Sequence, residues 1–331
     1  MMSHGQLLQF ALLAGFVLAI TLSLLIAVCG RLLRRRLSSK TPPQRARITW
    51  WMLVTPALAG IAYAAMTVAM PSVFHNSDRL AAACYQHSGS LLHLCVWHPS
   101  DSGQSLLLWG ALALLAAYAV WLAARAALSL WRARQTLAAM LRLSWRPGHP
   151  DKLHVLDADQ PMALACGIGR GHILLSTSLM QRLDATQLRV VLAHEQAHIA
   201  HRDVLYRLIA IVLSSIQLPG TRRRLLRDLE LALEQRCDFA AASAVGCPLV
   251  VAETIVAVEK IFRNHASEHR PLSMAFFSDF VPERVEALLA PEHSAVSYLG
   301  AFLGFCVLVF CSLSTGWLHA FTESLITVLT R

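Results

Sequence analysis

Four long runs of apolar residues divide the chain, and each is long enough to cross a lipid bilayer as a helix. Shorter stretches between them carry most of the charge. The first run has no lysine or arginine before it and several arginines after it, which predicts an uncleaved anchor with its N-terminus outside. The predicted transmembrane helices cover residues 7–29, 50–70, 106–124 and 296–318.

Between the third and fourth runs, the pattern becomes the mixed one of a folded aqueous domain, over residues 131–292. Asp184 followed by Gln187 has the spacing of a capping box and predicts the start of a helix. Pro219 and Gly220 are predicted to end a short apolar helix. The predicted strands are 152–156, 162–166 and 172–176. One helix is predicted to start at 184, and further helices lie at 204–218, 222–246, 249–264 and within 271–289.

Composition indicates a membrane protein. Hydrophobic residues make up 56% of the chain, charged residues only 15%, and the mean hydropathy is +0.50, which excludes an ordinary soluble protein. The net charge of +9 comes from arginines beside the apolar runs. That placement indicates membrane topology and contact with membrane lipids, and no direct nucleic-acid binding is expected. The basic loop around Lys40 is expected inside the cell, and the loop 71–104 and both termini outside.

The loop predicted to lie outside contains Cys84 and Cys95. An oxidising compartment would allow these two to form a disulfide. The same loop holds four histidines, which we interpret as ordinary exposed polar residues rather than as a metal sensor. The other cysteines fall in the spans or in the predicted cytoplasmic domain, and we expect them to be reduced.

A His-Glu-x-x-His motif lies inside an apolar, helix-forming stretch. His194 and His198 are four residues apart, so they share one face of a helix and can bind one Zn²⁺. Glu195 between them can reach a water molecule on the metal and act as a general base. The alternative is two histidines on an ordinary helix, which this motif alone does not exclude.

Carboxylates further along the chain can supply the third ligand that such a zinc site still needs. A catalytic zinc needs a third protein ligand, and Glu234 is the natural candidate. Asp238, four residues later on the same face, would accept a hydrogen bond from the outward ring nitrogen of His194. Asp203 is assigned a structural role at the end of the motif helix, and Cys237 is offset from Glu234 around its helix. The alternative for these carboxylates is a solvated helix face.

The motifs resemble those of membrane metallopeptidases of the BlaR/MecR antirepressor type, and the related Ste24/HtpX-like peptidases share them. The resemblance covers about residues 151–286. It implies a multi-span α-helical membrane protein of a bacterial cytoplasmic membrane, with an inserted α+β, gluzincin-like zinc metallopeptidase domain that faces the cytoplasm. The pattern that carries it is His194-Glu195-x-x-His198-x4-Asp203 followed by Glu234-x-x-Cys237-Asp238.

The resemblance also gives two neighbouring segments a role. It implies that the strand 162–166 is an edge strand that pairs with an extended substrate. The glycines from Gly167 to Gly171 lack the strand–glycine loop–helix context of a nucleotide fold, which favours a tight hairpin turn over a phosphate loop. Arg284 lies where Ste24/HtpX-like relatives often carry an arginine near the active site, so it either supports an oxyanion or is a surface arginine of an amphipathic helix.

The sequence therefore predicts an integral membrane zinc metalloendopeptidase that cleaves protein or peptide substrates. Regulated cleavage of a cytosolic regulator, such as a transcriptional repressor, is the first interpretation. One departure from the BlaR/MecR receptors argues against this interpretation: no penicillin-binding sensor is expected after the fourth span. The alternatives are a quality-control peptidase of the Ste24/HtpX kind and a zinc-stapled signalling scaffold without catalysis. An intact Glu195 argues against the scaffold, because a structural zinc site needs no general base.

Overall fold

The computed structural model describes six stretches of the chain. The predicted fourth span and the loop with Cys84 and Cys95 lie outside the described residues. The described stretches are residues 4–37, 40–69, 106–146, 152–167, 171–268 and 280–290.

Long helices account for three of the predicted spans: α1 (His4–Leu37), α2 (Pro42–Ala69) and α3 (Leu106–Leu143). Each contains a segment long and apolar enough to cross a membrane. The third span was predicted to end at residue 124, but α3 continues to Leu143 because the added part is rich in the helix formers alanine and leucine.

Glycines bring α1 and α2 close together. A Cβ atom on Gly15 would lie 2.5 Å from the carbonyl oxygen of Gly60, and a Cβ atom on Gly60 would lie 2.5 Å from that of Gly15. Only glycine fits at either position, and such close backbone approach is how helices associate within a bilayer. Leu18 and Tyr63 are buried in the same contact.

A four-stranded sheet follows α3 in the order β1-β2-β4-β3, with β2 and β4 parallel and the other pairs antiparallel. Three strands fall within one residue of their predicted bounds. The fourth strand, β1, is two residues long and therefore too short for a period-two pattern to reveal. The strands are β1 (Ser144–Trp145), β2 (Leu153–Leu156), β3 (Ala163–Cys166) and β4 (His172–Ser176).

The glycine-rich segment joins β3 to β4, which pair antiparallel with Cys166 opposite His172, as in the predicted hairpin. Gly167 has a φ of 99°, a conformation that glycine adopts without strain. A Cβ atom on Gly171 would lie 2.3 Å from the side chain of Ile199. The hairpin therefore rests directly against the helix that carries the two histidines.

The helices that complete the domain are α4 (Thr177–Arg182), α5 (Ala185–His201), α6 (Asp203–Leu213), α7 (Pro219–Val245), α8 (Pro248–Glu268) and α9 (Val281–Leu289), with a 3-10 turn at Ser214–Ile216. Asp184 caps α5 and forms the predicted capping box with Gln187. The prediction for Pro219 was wrong: it does not end a helix but opens α7, because its fixed φ and missing N–H suit the first helical turn.

Helix α2 shares a hydrophobic core with the peptidase domain. Leu53 and Val54 of α2 are buried against Leu229 and Leu233 of α7. Helix α5 packs between the sheet and the later helices, with Val191 in the core below the sheet and Val190 in the core formed with α8 and α9. The helix with the two histidines is therefore held on both sides.

Candidate active site

Helices α5 and α7 bring the three predicted ligands together. The Nε2 atoms of His194 and His198 are 3.1 Å apart. Carboxylate oxygens of Glu234 lie 3.4 Å from His194 Nε2 and 3.6 Å from His198 Nε2. Ligands placed about 2.0–2.1 Å from a tetrahedral zinc stand roughly 3.4 Å from one another. This donor set therefore fits one zinc ion without rearrangement.

Asp238 fixes the outward side of the first histidine. Nδ1 of His194 lies 2.9 Å from Asp238 Oδ1, and the Asp238 side chain is only 1% exposed. The guanidinium of Arg284 donates two hydrogen bonds to that carboxylate, at 2.8 and 2.7 Å, and approaches Glu234 at 3.5 Å. The interpretation of Arg284 as a surface arginine is wrong, because its side chain is only 13% exposed. The side chain is buried because it packs against Asp238.

Asp203 contacts the outward ring nitrogen of His198, as Asp238 contacts that of His194. Nδ1 of His198 lies 2.8 Å from Asp203 Oδ2, and Arg236 pairs with the other oxygen of Asp203. The turn that allows this is at Arg202, whose φ of 55° is rare for a residue other than glycine. The sequence predicted Asp203 at the end of the helix and no role for Arg236. The contact could not be predicted from local sequence, because it joins residues 33 positions apart.

The buried charges of the site stabilise one another. Burial by itself lowers the pKa of His194, but hydrogen bonds to Asp238 and Glu234 outweigh it and raise the pKa to about 10. Burial acts to raise the pKa of Glu234, yet the hydrogen bond from His194 and the charge of Arg284 bring it well below its usual range. The pKa of Asp238 is lowered as well, against burial, chiefly by Arg284. Glu234 and Asp238 therefore carry full negative charge at neutral pH.

Glu195 lines a cavity of about 90 Å³ together with His194 and Glu234. The side chain is buried and belongs to the same helix as both histidines. Ala163 of β3 borders the cavity, and Cys166 lies close enough that burial and the charge of Glu195 raise the pKa of its thiol to about 11. The other walls are mainly apolar and include Val190, Val191, Val251, Ile255, Val258 and Phe262.

Cys237 is buried next to the site but lies on the far side of His198. Its sulfur is 3.3 Å from His198 Nδ1 and 3.4 Å from Asp203. That ring nitrogen already faces the Asp203 carboxylate, which leaves Nε2 for the cluster with Glu234. Burial and the charge of Asp203 raise the pKa of the Cys237 thiol far above its usual range. Cys237 is therefore a neutral packing residue in this arrangement.

Residues 126–261 match the sequence model of peptidase family M48. Among curated proteins, the chain is similar to the protease HtpX homolog of Acidiphilium cryptum, with 29% identity over 48% of this chain and 71% of the relative. It also matches the HtpX homologs of Aquifex aeolicus, at 40% identity over 22% of that protein, and of Thermodesulfovibrio yellowstonii, at 37% identity over 23%. No solved structure matches the chain.

These matches and the three apolar helices support a transmembrane metallopeptidase with an M48-type domain. The matches to Aquifex aeolicus and Thermodesulfovibrio yellowstonii span less than a quarter of those relatives, 22% and 23%. The matched region 126–261 includes both histidines and Glu234, and it ends before Arg284. The family match therefore covers the three predicted metal ligands and ends before the arginine that holds Asp238.

Proposed function

We propose that the protein is an integral membrane zinc metalloendopeptidase that hydrolyses peptide bonds in protein substrates. One observation carries this proposal: two Nε2 atoms and the Glu234 carboxylate converge at tetrahedral spacing, while both Nδ1 atoms face buried carboxylates. Such outer hydrogen bonds fix the tautomer of a metal-binding histidine. Three protein ligands with an open fourth position are typical of a catalytic rather than a structural zinc.

A zinc ion held there would lower the pKa of a water molecule and polarise the scissile carbonyl. Glu195 would accept a proton from the attacking water as a general base and would donate it to the leaving amine as a general acid. Arg284 positions Asp238 and thereby His194, because two of its hydrogen bonds are already committed to that carboxylate. A non-catalytic scaffold has no use for a buried glutamate that faces a cavity next to the ligands.

The substrate binds in extended form along β3. This strand is last in the sheet order, and its outer edge has no partner strand among the described residues. An extended peptide can add to such an edge through backbone hydrogen bonds. Ala163 of the strand borders the apolar cavity beside Glu195. One side chain of the peptide would enter that cavity, which favours an apolar residue next to the scissile bond.

Two substrate classes follow from two observations. Helix α2 shares a core with α7, which carries Glu234, so a change in the membrane region can reach the site and regulate cleavage of one cytosolic protein, such as a transcriptional repressor. The relatives with matching sequences are named HtpX homologs, which favours quality control of many membrane proteins. Regulated cleavage is our first interpretation, because the shared core gives it a physical route.

New protein N-termini in cells that express the wild type or Glu195→Gln distinguish the two classes. Regulated cleavage predicts one or two cytosolic fragments that depend on Glu195. Quality control predicts many fragments from unrelated membrane proteins. Identical sets of N-termini in the two strains, under conditions where both proteins accumulate, would contradict a peptidase of either kind. Asp184→Asn is the matched control, because asparagine caps a helix as well as aspartate does.

A further inference from the structure

A second cavity, far larger than that at the zinc ligands, lies between α3 and the turn from α6 to α7. Its volume is about 450 Å³. One face of α3 forms one wall, since its lining residues recur every three or four positions from Tyr118 to Ser129. The opposite wall comes from α6 and the start of α7, with Leu208, Ile211 and Val212 as its apolar part.

Three arginines line this cavity, and none of the lining residues is acidic: Arg125, Arg222 and Arg223. Arg222 is fixed in place, because its guanidinium donates to Ser214 Oγ at 3.1 Å and to the carbonyl of Ile211 at 3.0 Å. In the described part of the chain, Arg125 and Arg223 form no ion pair with a carboxylate. The cavity therefore concentrates positive charge that the described protein does not neutralise.

Aromatic side chains beside the cavity are of the kind that lies at the membrane surface. Tyr118 and Trp121 stack at 5.9 Å, and the guanidinium of Arg125 lies 5.4 Å from the centre of the Trp121 ring. Both aromatic side chains are about half exposed, at 50% and 52%. Tyrosine and tryptophan concentrate at the headgroup level of a bilayer, and arginine marks the cytoplasmic side. A polar headgroup and an apolar tail would both find matching walls here.

We propose that this cavity binds one anionic phospholipid. Its phosphate lies between Arg125 and Arg223 with Arg222 behind it, and its acyl chains follow the apolar wall of α6. Basic pockets between membrane helices on the cytoplasmic side are known to hold anionic headgroups. The predicted fourth span, residues 296–318, contains no aspartate or glutamate, so it would not neutralise this charge. A bound lipid would link α3 to the peptidase domain.

The test uses the full chain in detergent, titrated with phosphatidylglycerol or phosphatidylcholine and followed by native mass spectrometry. We expect the wild type to bind phosphatidylglycerol at least about tenfold more tightly than phosphatidylcholine. Replacing Arg125 and Arg223 together by glutamine removes that preference. The matched control replaces Arg134, nine residues from Arg125 and therefore on the opposite face of α3, and Arg224, which is exposed and does not line the cavity.

Both double variants lose two positive charges, so they differ only in whether the lost charges line the cavity. Equal loss of phosphatidylglycerol binding in the two would mean unspecific attraction and would overturn the proposal, as would a wild type without lipid preference. A glutamate-rich peptide that binds at this cavity better than the lipid would assign it to an acidic protein segment instead. Circular dichroism and gel filtration of both variants establish that a loss of binding is not a loss of fold.

Discussion

At the scale of single residues, the site is built from two matched pairs. Each of the histidines that face Glu234 has a buried carboxylate at its other ring nitrogen, Asp238 for His194 and Asp203 for His198. Each carboxylate is in turn held by an arginine. The carboxylate fixes the ring orientation and increases the basicity of the nitrogen that faces the metal. The arginine offsets the cost of burying that negative charge.

Asp203→Asn should weaken zinc binding by about 10–100-fold, because the amide keeps the shape of the side chain but removes the charge that orients His198. Competition with a chelator measures the affinity. Asp184→Asn, at the other end of the same helix, should leave it unchanged. If both variants bound zinc equally well, the contact at Asp203 would be structural only.

Zinc binding at pH 7 should release a proton from His194. In the metal-free pocket the pKa of this ring is raised to about 10, so at neutral pH the nitrogen that faces Glu234 still carries a proton that the metal must displace. Lower pH therefore weakens binding, and the pocket loses this competing proton only as the pH rises through about 10. Calorimetric titration in buffers of different ionisation enthalpy counts the protons, and a count of zero would contradict this electrostatic account.

The sequence was enough to place the residues of the motifs but not the arginines that hold the two carboxylates. His194, His198, Glu234 and Asp238 follow from spacing, since residues four apart share a helix face. The partners of Asp203 and Asp238 come from other helices, and nothing in the local sequence says which arginine will reach them. Arg284 illustrates this limit, because a surface position and a buried one suit the same amphipathic pattern.

At the scale of elements, two buried glutamines join α2 to the domain that carries the site. Gln217 donates to the carbonyls of Met52 and Leu53 at 2.8 and 2.9 Å. The proline at position 56 has no N–H to offer the Met52 carbonyl, so this bond comes from outside the helix. Gln235, next to Glu234, accepts from Arg45 of α2 and donates to the carbonyl of Glu283 at 2.7 Å.

Gln217→Leu should lower the free energy of unfolding by about 1–3 kcal/mol, because the buried carbonyls of Met52 and Leu53 each lose a hydrogen-bond donor. The loss should be smaller in a Pro56→Ala background, where the restored N–H can bond to the Met52 carbonyl within α2. Thermal unfolding of the four proteins in detergent gives the coupling energy of the pair. Equal losses in both backgrounds would show that Gln217 does not act through the proline site.

Local patterns predicted the elements well where they were long or capped. The capping box at Asp184 and the glycine at 246, with a φ of 80°, mark helix ends that are visible in the sequence. Strand β1 was missed because it is two residues long and exists only through its pairing with β2. The prediction for Pro219 was wrong because a proline can either follow the end of one helix or open the next, and only the chain geometry distinguishes the two cases.

At the scale of the whole molecule, the membrane region and the peptidase domain are not independent bodies. The core shared by α2 and α7 contains Leu53 and Leu233, and Leu233 is the neighbour of Glu234. The packing joins the domain mainly to α2, since α3 contacts it mainly through β1 and β2. Orientation across the membrane stays a prediction from the placement of arginine.

The most direct test of the central proposal compares zinc content and cleavage of an unfolded protein substrate in purified wild type and Glu195→Gln. The proposal predicts one zinc per chain in both and a loss of cleavage of at least about 100-fold in the variant, because only the general base is removed. His201→Ala, on an exposed position of the same helix, should match the wild type in both. Cleavage by Glu195→Gln at the wild-type rate, or a wild type without bound zinc, would contradict it.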